Sequence, residues 1–237
     1  MPLAISPTTT DVNVGFTKAF TASGGTGPYV FSIVSGSGSI GSASGIFTPG
    51  RSPGVTVVKV TDSLLATASA TITVHNAITR VCEIIKEGLD LDNDQVYLWD
   101  QKIKIPTDTR LYIAVSVNSC KPFGSNKYLV STSGLADKQS LNMFCELGVD
   151  ILSRSADARD RKEEVIMALG STFSISSQES HAFLVSNLSR GFVNLSNIDG
   201  AAIPYRFNIT VGLQYFVTKQ VEIDYYTEFS DDVTTEA

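Results

Sequence analysis

Basic residues are scarce in this sequence: 18 lysines and arginines stand against 24 aspartates and glutamates, for a net charge of −6. A surface that holds nucleic-acid phosphates needs a basic stripe, so the balance argues against nucleic-acid binding. Long apolar runs are missing as well, and no stretch approaches the roughly 18 consecutive apolar residues of a membrane-spanning helix. The opening MPLAISPTTT has neither the basic start nor the apolar centre of a secretory signal, so neither export nor a membrane partner is expected. Cysteine is limited to Cys82, Cys120 and Cys145, with no C-x-x-C pair. That spacing gives neither a disulfide framework nor a four-ligand zinc site; buried free thiols are expected, and pairing between copies is left open. His75 and His181 are the only histidines, and neither has a ligand-type partner three or four residues on, so structural or surface roles are expected. No G-x-S-x-G elbow and no G-x-x-x-x-G-K loop occurs. From these absences the expectation is a protein that is not an enzyme and holds no cofactor and no metal.

One motif that is present points the other way. In SGSGSIG, Gly36, Gly38 and Gly41 have dinucleotide-fingerprint spacing, and Asp62 lies about where a ribose-binding acid would fall. The fingerprint works only when its last glycine opens a helix whose N-terminus receives the pyrophosphate. Here SASGIFTPGRSPG follows, and its glycines and prolines cannot sustain a helix. A turn between strands is therefore expected.

Composition changes near residue 76. Residues 1–76 hold only five charged side chains, Asp11, Lys18, Arg51, Lys59 and Asp62, but ten of the 18 glycines. Their apolar residues alternate at period two in VGFTKAFTA, YVFSIVS, VTVVKVTD and ATASATITV, separated by clusters such as SGGTGP and TPGRSPG. Short alternating runs closed by turn residues predict a β-sandwich. The order SGGTGPYVFSI, GSI…SGIFTPG, GVTVVKVTDSLLATASATITV resembles the bacterial immunoglobulin-like modules carried by surface and tailed-phage virion proteins. The resemblance implies a small sandwich over residues 3–75 without a catalytic site, and weak contact with host-surface glycans.

Beyond the boundary the period changes. In AITRVCEIIKEGLD, Ile78, Val81, Cys82, Ile85 and Leu89 share one helical face. QVYLW and DTRLYIAVSVNSC read as strands, and SLNMFCELGVDILSRS reads as a strand because six alternate positions from Leu141 to Ile151 are apolar. ADARDRKEEVIMALG predicts a second helix, and YRFNITVGLQYFVTKQ and QVEIDYYTEF predict two final strands. The expected architecture is therefore two domains: residues 1–76 an all-β immunoglobulin-like sandwich, and residues 77–237 an α+β domain with a mainly antiparallel sheet and two helices. DLDND, residues 90–94, lacks the glycine and glutamate of a calcium loop, so a solvated loop is expected. DARDRKEE carries four acids against three bases and predicts a solvated or salt-bridged helix face. The sequons at Asn187, Asn194 and Asn208 matter only on a secreted eukaryotic chain.

Aromatic residues crowd the last strands: Tyr205, Phe207, Tyr215, Phe216, Tyr225, Tyr226 and Phe229. Aromatics are enriched at interfaces, so these seven are the candidate subunit-interface residues of a homo-oligomer. The run of elements from the first helix through LYIAVSVNSC, NMFCELGVDILSRS, ARDRKEEVIMAL and the final YYTEF resembles the neck and tail-terminator proteins of tailed bacteriophages, over residues 77–230. The resemblance implies a virion protein at the head–tail neck, made in the host cytoplasm. It would form a ring, usually of six copies, joined to head-completion and tail-tube proteins, with DNA passing through unread. Residues beyond 76 carry 15 bases and 22 acids, which suits a channel that repels DNA. Another connector, tail-tube or head-decoration subunit, or a carbohydrate-binding surface adhesin, are the alternatives.

Overall fold

A computed structural model of the chain describes residues 1–99, 106–131, 135–186, 191–196 and 205–222, and is mostly β-sheet with few helices. Nine short strands come first: β1 (Ala4–Ser6), β2 (Thr9–Asn13), β3 (Lys18–Ala19), β4 (Thr21–Ser23), β5 (Val30–Ser35), β6 (Gly38–Ile40), β7 (Ile46–Pro49), β8 (Gly54–Thr61) and β9 (Thr67–His75). They form a four-stranded sheet in the order β2-β9-β8-β5, a three-stranded sheet β3-β7-β6 and the pair β1-β4. Residues from these sheets close on one core, with Phe47, Val58, Val60 and Ile72 fully buried. Each such side chain contributes about 2 kcal/mol by leaving water.

SGSGSIG turns between β5 and β6, as its composition predicts, and no helix follows it. Gly36 has φ +94°, and a Cβ there would lie 2.6 Å from the Val55 carbonyl oxygen, so only glycine fits. Asp62 is a structural residue, 5% exposed. Its carboxylate accepts from the backbone N–H groups of Thr26 (3.0 Å), Leu64 (3.0 Å) and Ala66 (2.9 Å). The Thr26 bond, with the other two, outweighs burial and holds its pKa below the usual carboxylate range. The turn it secures presents Leu64 and Leu65 to solvent, 74% and 82% exposed.

The chain then enters α1 (Ala77–Gly88), β10 (Val96–Leu98), β11 (Tyr112–Ser131), β12 (Leu135–Ser153), α2 (Asp157–Asp160), α3 (Lys162–Leu169), α4 (Thr172–His181), β13 (Phe183–Ser186), β14 (Val193–Asn194) and β15 (Tyr205–Glu222). Asn76 and Thr79 form a capping box: Thr79 N donates to Asn76 Oδ1 at 2.9 Å and Asn76 N donates to Thr79 Oγ1 at 3.0 Å. The buried stripe of α1 is Ala77, Val81, Ile84 and Ile85, and Gly88 lets the helix approach Ala168 of α3 more closely than any Cβ would allow. The sheet runs β10-β11-β12-β15-β13, with β14 on β15; β10 joins β11 in parallel and the other pairs are antiparallel. Ile113, Val115, Leu147, Val149, Ile151, Ile209, Val211 and Leu213 pack against the helices as a second core. Tyr112, Ala114 and Leu152 are buried on the opposite face beside Tyr97 and Trp99.

Three expectations need correction. The single helix over ADARDRKEEVIMAL is two, because Arg161 (φ −114°, ψ 2°) leaves the helical path, its guanidinium donating to the Leu89 carbonyl at 2.9 Å and to Glu164. With α4 in the polar stretch, the two expected helices become four. Of the two expected final strands, YRFNITVGLQYFVTKQ is β15, which runs on through Val221 and Glu222; the rest of QVEIDYYTEF, with Tyr225, Tyr226 and Phe229, lies outside the described residues. Finally, Cys120 and Cys145 are not free thiols but one disulfide within the chain, with Cα atoms 4.1 Å apart; Cys82 takes no part in it. The pairing comes from register. Ile113 faces Ile151 and Val117 faces Leu147, so an uninterrupted ladder would set Cys120 opposite Phe144, but the irregularity between Val117 and Ser119 sets it opposite Cys145.

Candidate functional site

The first sheets and the helices meet at a polar cluster. β9 ends on His75, Asn76 caps α1, and the first turns of α1 aim Arg80 and Glu83 back at β2. Arg80 is 7% exposed and fully engaged: Nε donates to Asn13 Oδ1 at 3.0 Å, Nη1 to Glu83 Oε2 at 2.9 Å, and Nη2 to Asp11. His75 Nδ1 stands 2.9 Å from Glu83 Oε1. Asn13 Nδ2 donates to the His181 carbonyl at 3.1 Å, and Val14 N to the His75 carbonyl at 2.8 Å. His181 Nδ1 lies 2.9 Å from the Ser177 carbonyl, which only accepts, so this nitrogen carries a proton. His181 Nε2 lies 3.6 Å from Asp11 Oδ2.

Burial pushes the Asp11 and Glu83 carboxyls up. At Asp11 the bond and charge from Arg80, then His181, outweigh it, and at Glu83 those from His75, then Arg80, so both stay below their ordinary values. Both histidines are therefore structural, as their isolation in sequence suggests, and the cluster fastens β2 and β9 to α1 and α4.

The other sequence candidates resolve in the same sense. Among the described residues no group of three or more His, Cys, Asp or Glu side chains could hold a metal. In the acidic loop Arg110 takes the place of a cation: its Nη2 meets Asp94 Oδ2 at 2.9 Å, its Nε meets Asp108 Oδ2 at 3.1 Å, and Asp92 lies 3.7 Å from Nη1. Its bonds to Asp94 lead in keeping that carboxyl acidic, and the Tyr112 hydroxyl, 2.6 Å away, leads at Asp108. DARDRKEE is a paired face, with Arg159–Asp160, Arg161–Glu164 and Lys162–Glu163 in contact.

The candidate interface aromatics have separate fates. Phe207 is 7% exposed inside the helix-side core, so it is not available to a neighbour. Tyr205 is half-buried, with the Arg159 guanidinium 5.8 Å from its ring centre. The half-buried Tyr215 hydroxyl lies 3.6 Å from Cys145 Sγ, and because a disulfide sulfur carries no hydrogen the tyrosine is the donor. Phe216 is 54% exposed. Sequence reasoning did not single out Phe123, Leu141 and Val217, which are 58%, 41% and 43% exposed on the same three strands. Of the three only Leu141, between Ser140 and Asn142, alternates with polar neighbours, so the sequence held little signal for the other two.

Those strands outrun their helical cover. Helix-side core positions end near Val117, Cys145 and Leu213, whereas β11, β12 and β15 continue as a three-stranded arm to Ser131, Leu135 and Glu222. β10 reaches only Ile113–Val115 of β11, and β13 only Gly212–Tyr215 of β15. Among the described residues the β11 edge beyond Val115 and the β15 edge beyond Tyr215 each have a single partner strand. Where the arm passes Val14, Phe16, Arg51 and the ends of α1 and α4, a cavity of about 580 Å³ opens. Leu141, Tyr215 and Val217 contribute to its arm side, and Lys127 and His181 add basic groups.

No protein-family model matches this chain, and no curated protein does. Among solved structures it is similar to "PcdhgB3 EC1-4 in 50 mM HEPES", at 12% identity and TM-score 0.29, over 62% of this chain and 45% of that one. It is similar also to "Protocadherin Gamma B7 extracellular cadherin domains 1-4", at 11% identity and TM-score 0.28, over 94% and 49%. The chain thus spans about half the length of these structures, and at such scores neither likeness bears on function.

Proposed function

We propose that this protein is a structural assembly subunit, a tail-terminator or connector protein at the head–tail neck of a tailed bacteriophage. In this reading residues 1–76 are an immunoglobulin-like decoration and residues 77–237 an α+β domain that builds the ring. One observation carries the assembly reading: the arm formed by β11, β12 and β15, strands of 20, 19 and 18 residues where about 5–6 is ordinary. An exposed strand edge is a template for another strand, and proteins that do not use such edges keep them short or blocked. The β11 edge is interrupted by Pro122 and by register shifts on either side of it, whereas β15 shows no irregularity against β12. The β15 edge beyond Tyr215, flanked by exposed Phe216 and Val217, is therefore the better place for a neighbouring copy.

The sequence resemblance supplies the phage setting and the six-membered ring, together with head-completion and tail-tube proteins as partners and the virion as location. The acidic charge of the second part supports DNA passing without being held. Native mass spectrometry of the full chain tests the proposal: a closed ring of one stoichiometry is expected, and a monomer at all concentrations up to those of a virion-assembly reaction overturns it. A second reading, a surface adhesin or other decoration, draws on Leu64 and Leu65, exposed at the far end of β8 and β9 from the junction. It would be preferred if a glycan array gave specific binding that L64S/L65S abolished.

A further inference from the structure

The Cys120–Cys145 disulfide stands where the helix-side core ends and the arm begins, and its two halves have different surroundings. Cys145 is fully buried in that core, whereas Cys120 is exposed on β11, beyond Val115, the last residue of β11 that pairs with β10. The bond crosses the ladder from the inner strand β12 to β11. Thiol–disulfide exchange needs a thiolate that reaches one sulfur from behind, in line with the S–S bond. Behind Cys120 that line leads out past β11. Behind Cys145 it leads across β15, where the register partner of Cys145 is the fully buried Leu213. Access therefore selects Cys120 as the attacked sulfur and Cys145 as the departing one.

An apolar core disfavours a thiolate, which by itself would make Cys145 a poor leaving group. The Tyr215 hydroxyl, 3.6 Å from Cys145 Sγ, is a donor directed at that sulfur. Burial raises the pKa of Tyr215, so the hydroxyl keeps its proton. Hydrogen bonds to a charged atom are among the stronger ones, and this one gains strength as negative charge develops on Cys145. We infer that the disulfide is a site of S-thiolation, opened at Cys120 by a small thiol of the glutathione class, with the Tyr215 hydroxyl receiving the charge released on Cys145. In that step the glutathione thiolate forms a new S–S bond to Cys120 Sγ as the Cys120–Cys145 bond breaks. The bonding pair leaves on Cys145 Sγ, which takes up the proton that the thiol gave to solvent. A second glutathione thiolate attacks the glutathione sulfur of the mixed disulfide, releasing oxidised glutathione and the Cys120 thiolate. Two thiols are thereby oxidised to one disulfide, and the protein disulfide gains the two electrons. The inference rests on strand register and exposure, not on the assembly reading, and it holds for a monomer as well as for a ring.

The test treats the full, folded chain with reduced glutathione, quenches at short times with N-ethylmaleimide and maps the peptides by mass. Expected in the first species formed is glutathione on Cys120 together with N-ethylmaleimide on Cys145. Tyr215→Phe keeps the ring and removes the donor, and it should slow opening about tenfold, as the loss of one hydrogen bond to a charged atom does. Looser packing would quicken opening instead, so the sign separates the role of the hydroxyl from a merely structural one. The mapping uses the unaltered chain, so it decides even where Y215F folds poorly. Glutathione on Cys145 in place of Cys120, a disulfide that opens only after urea has unfolded the chain, or opening in folded Y215F as fast as in the wild type would each overturn the inference.

Discussion

The two parts of this molecule build β-sheet by different rules. Before residue 76 the longest strand has nine residues, turns rely on positive-φ glycines, and almost every charge is missing. After it, three strands of 18 to 20 residues run without a glycine-led turn among the described residues, and charges pair on the helices and loops. Short strands enclose a core with little left over, because each turn returns the chain to the same interior. Long strands fill a core with half their length and must place the remainder elsewhere. What the difference teaches is that the strands of the first part are used up in enclosing its core, whereas β11, β12 and β15 extend past theirs.

The strongest way to break this comparison is to empty one core at a time. Ile151→Ala and Ile72→Ala each remove a fully buried side chain and should each cost about 2–5 kcal/mol. If the cores are separate, differential scanning calorimetry should show a different part of the unfolding profile moving in each variant; identical displacement of the whole profile would merge the parts. Next in size is the disulfide, which closes a loop with a sequence separation of 25 and should contribute about 3 kcal/mol by restricting the unfolded chain. C120S/C145S should therefore lower urea stability after residue 76 and leave the first part unchanged, a result readable from the fluorescence of Trp99 beside β11.

Arg80→Met tests the fastening between the parts. It removes the guanidinium shared by Asn13, Asp11 and Glu83, and because both carboxylates are partly exposed the loss should be about 1–2 kcal/mol. The sign with pH follows from the two acids. Their folded-state values lie below the unfolded ones, so their stabilisation is fully present above the ordinary carboxylate range and is lost as pH falls through the lowered values. Wild-type stability should thus fall more steeply than that of R80M between about pH 4 and pH 2, as followed by acid titration of circular dichroism. The smallest effect should have the opposite sign. The Tyr97 hydroxyl is buried without a hydrogen-bond partner among the described residues, and burial first, then the neighbouring Tyr112, pushes its titration up to about 12. Tyr97→Phe removes that group and should stabilise by up to about 1 kcal/mol in thermal melts, while deleting a tyrosinate transition near pH 12 from the ultraviolet titration.

Much of the fold was legible where local pattern and tertiary need agree. Alternation in YVFSIVS, LYIAVSV and NMFCELGVDILS marked strands, because half-buried sheet demands period two. The stripe through Val81, Ile85 and Leu89 marked α1, and the turn chemistry of SGSGSIG excluded the dinucleotide reading before any coordinates. α4 was not legible: TFSISSQESH is nearly all polar, and only Ser174 is buried. It stands because Ser171 caps its start, accepting from Ser174 N at 3.1 Å, and because Gln178 Oε1 accepts from Val185 N at 2.8 Å. The site was less legible still. His75, Arg80, Asp11 and His181 are up to 170 residues apart, and no spacing rule joins β2 to the end of α4.

By itself the sequence determined the change of composition near residue 76, the prevalence of strand over helix and the lack of the G-x-S-x-G and G-x-x-x-x-G-K motifs, because composition and hydrophobic period act over a few residues at a time. Tertiary structure alone decided that Cys120 meets Cys145, that Phe207 turns inward while Phe216 stays in water, and that a cavity opens between the arm and the first sheets. Those outcomes depend on register and on which surfaces meet across long separations. One extra residue between Val117 and Ser119 was enough to change which side chain faces the cysteine, and the alternation of side chains along one strand does not reveal its alignment with the next.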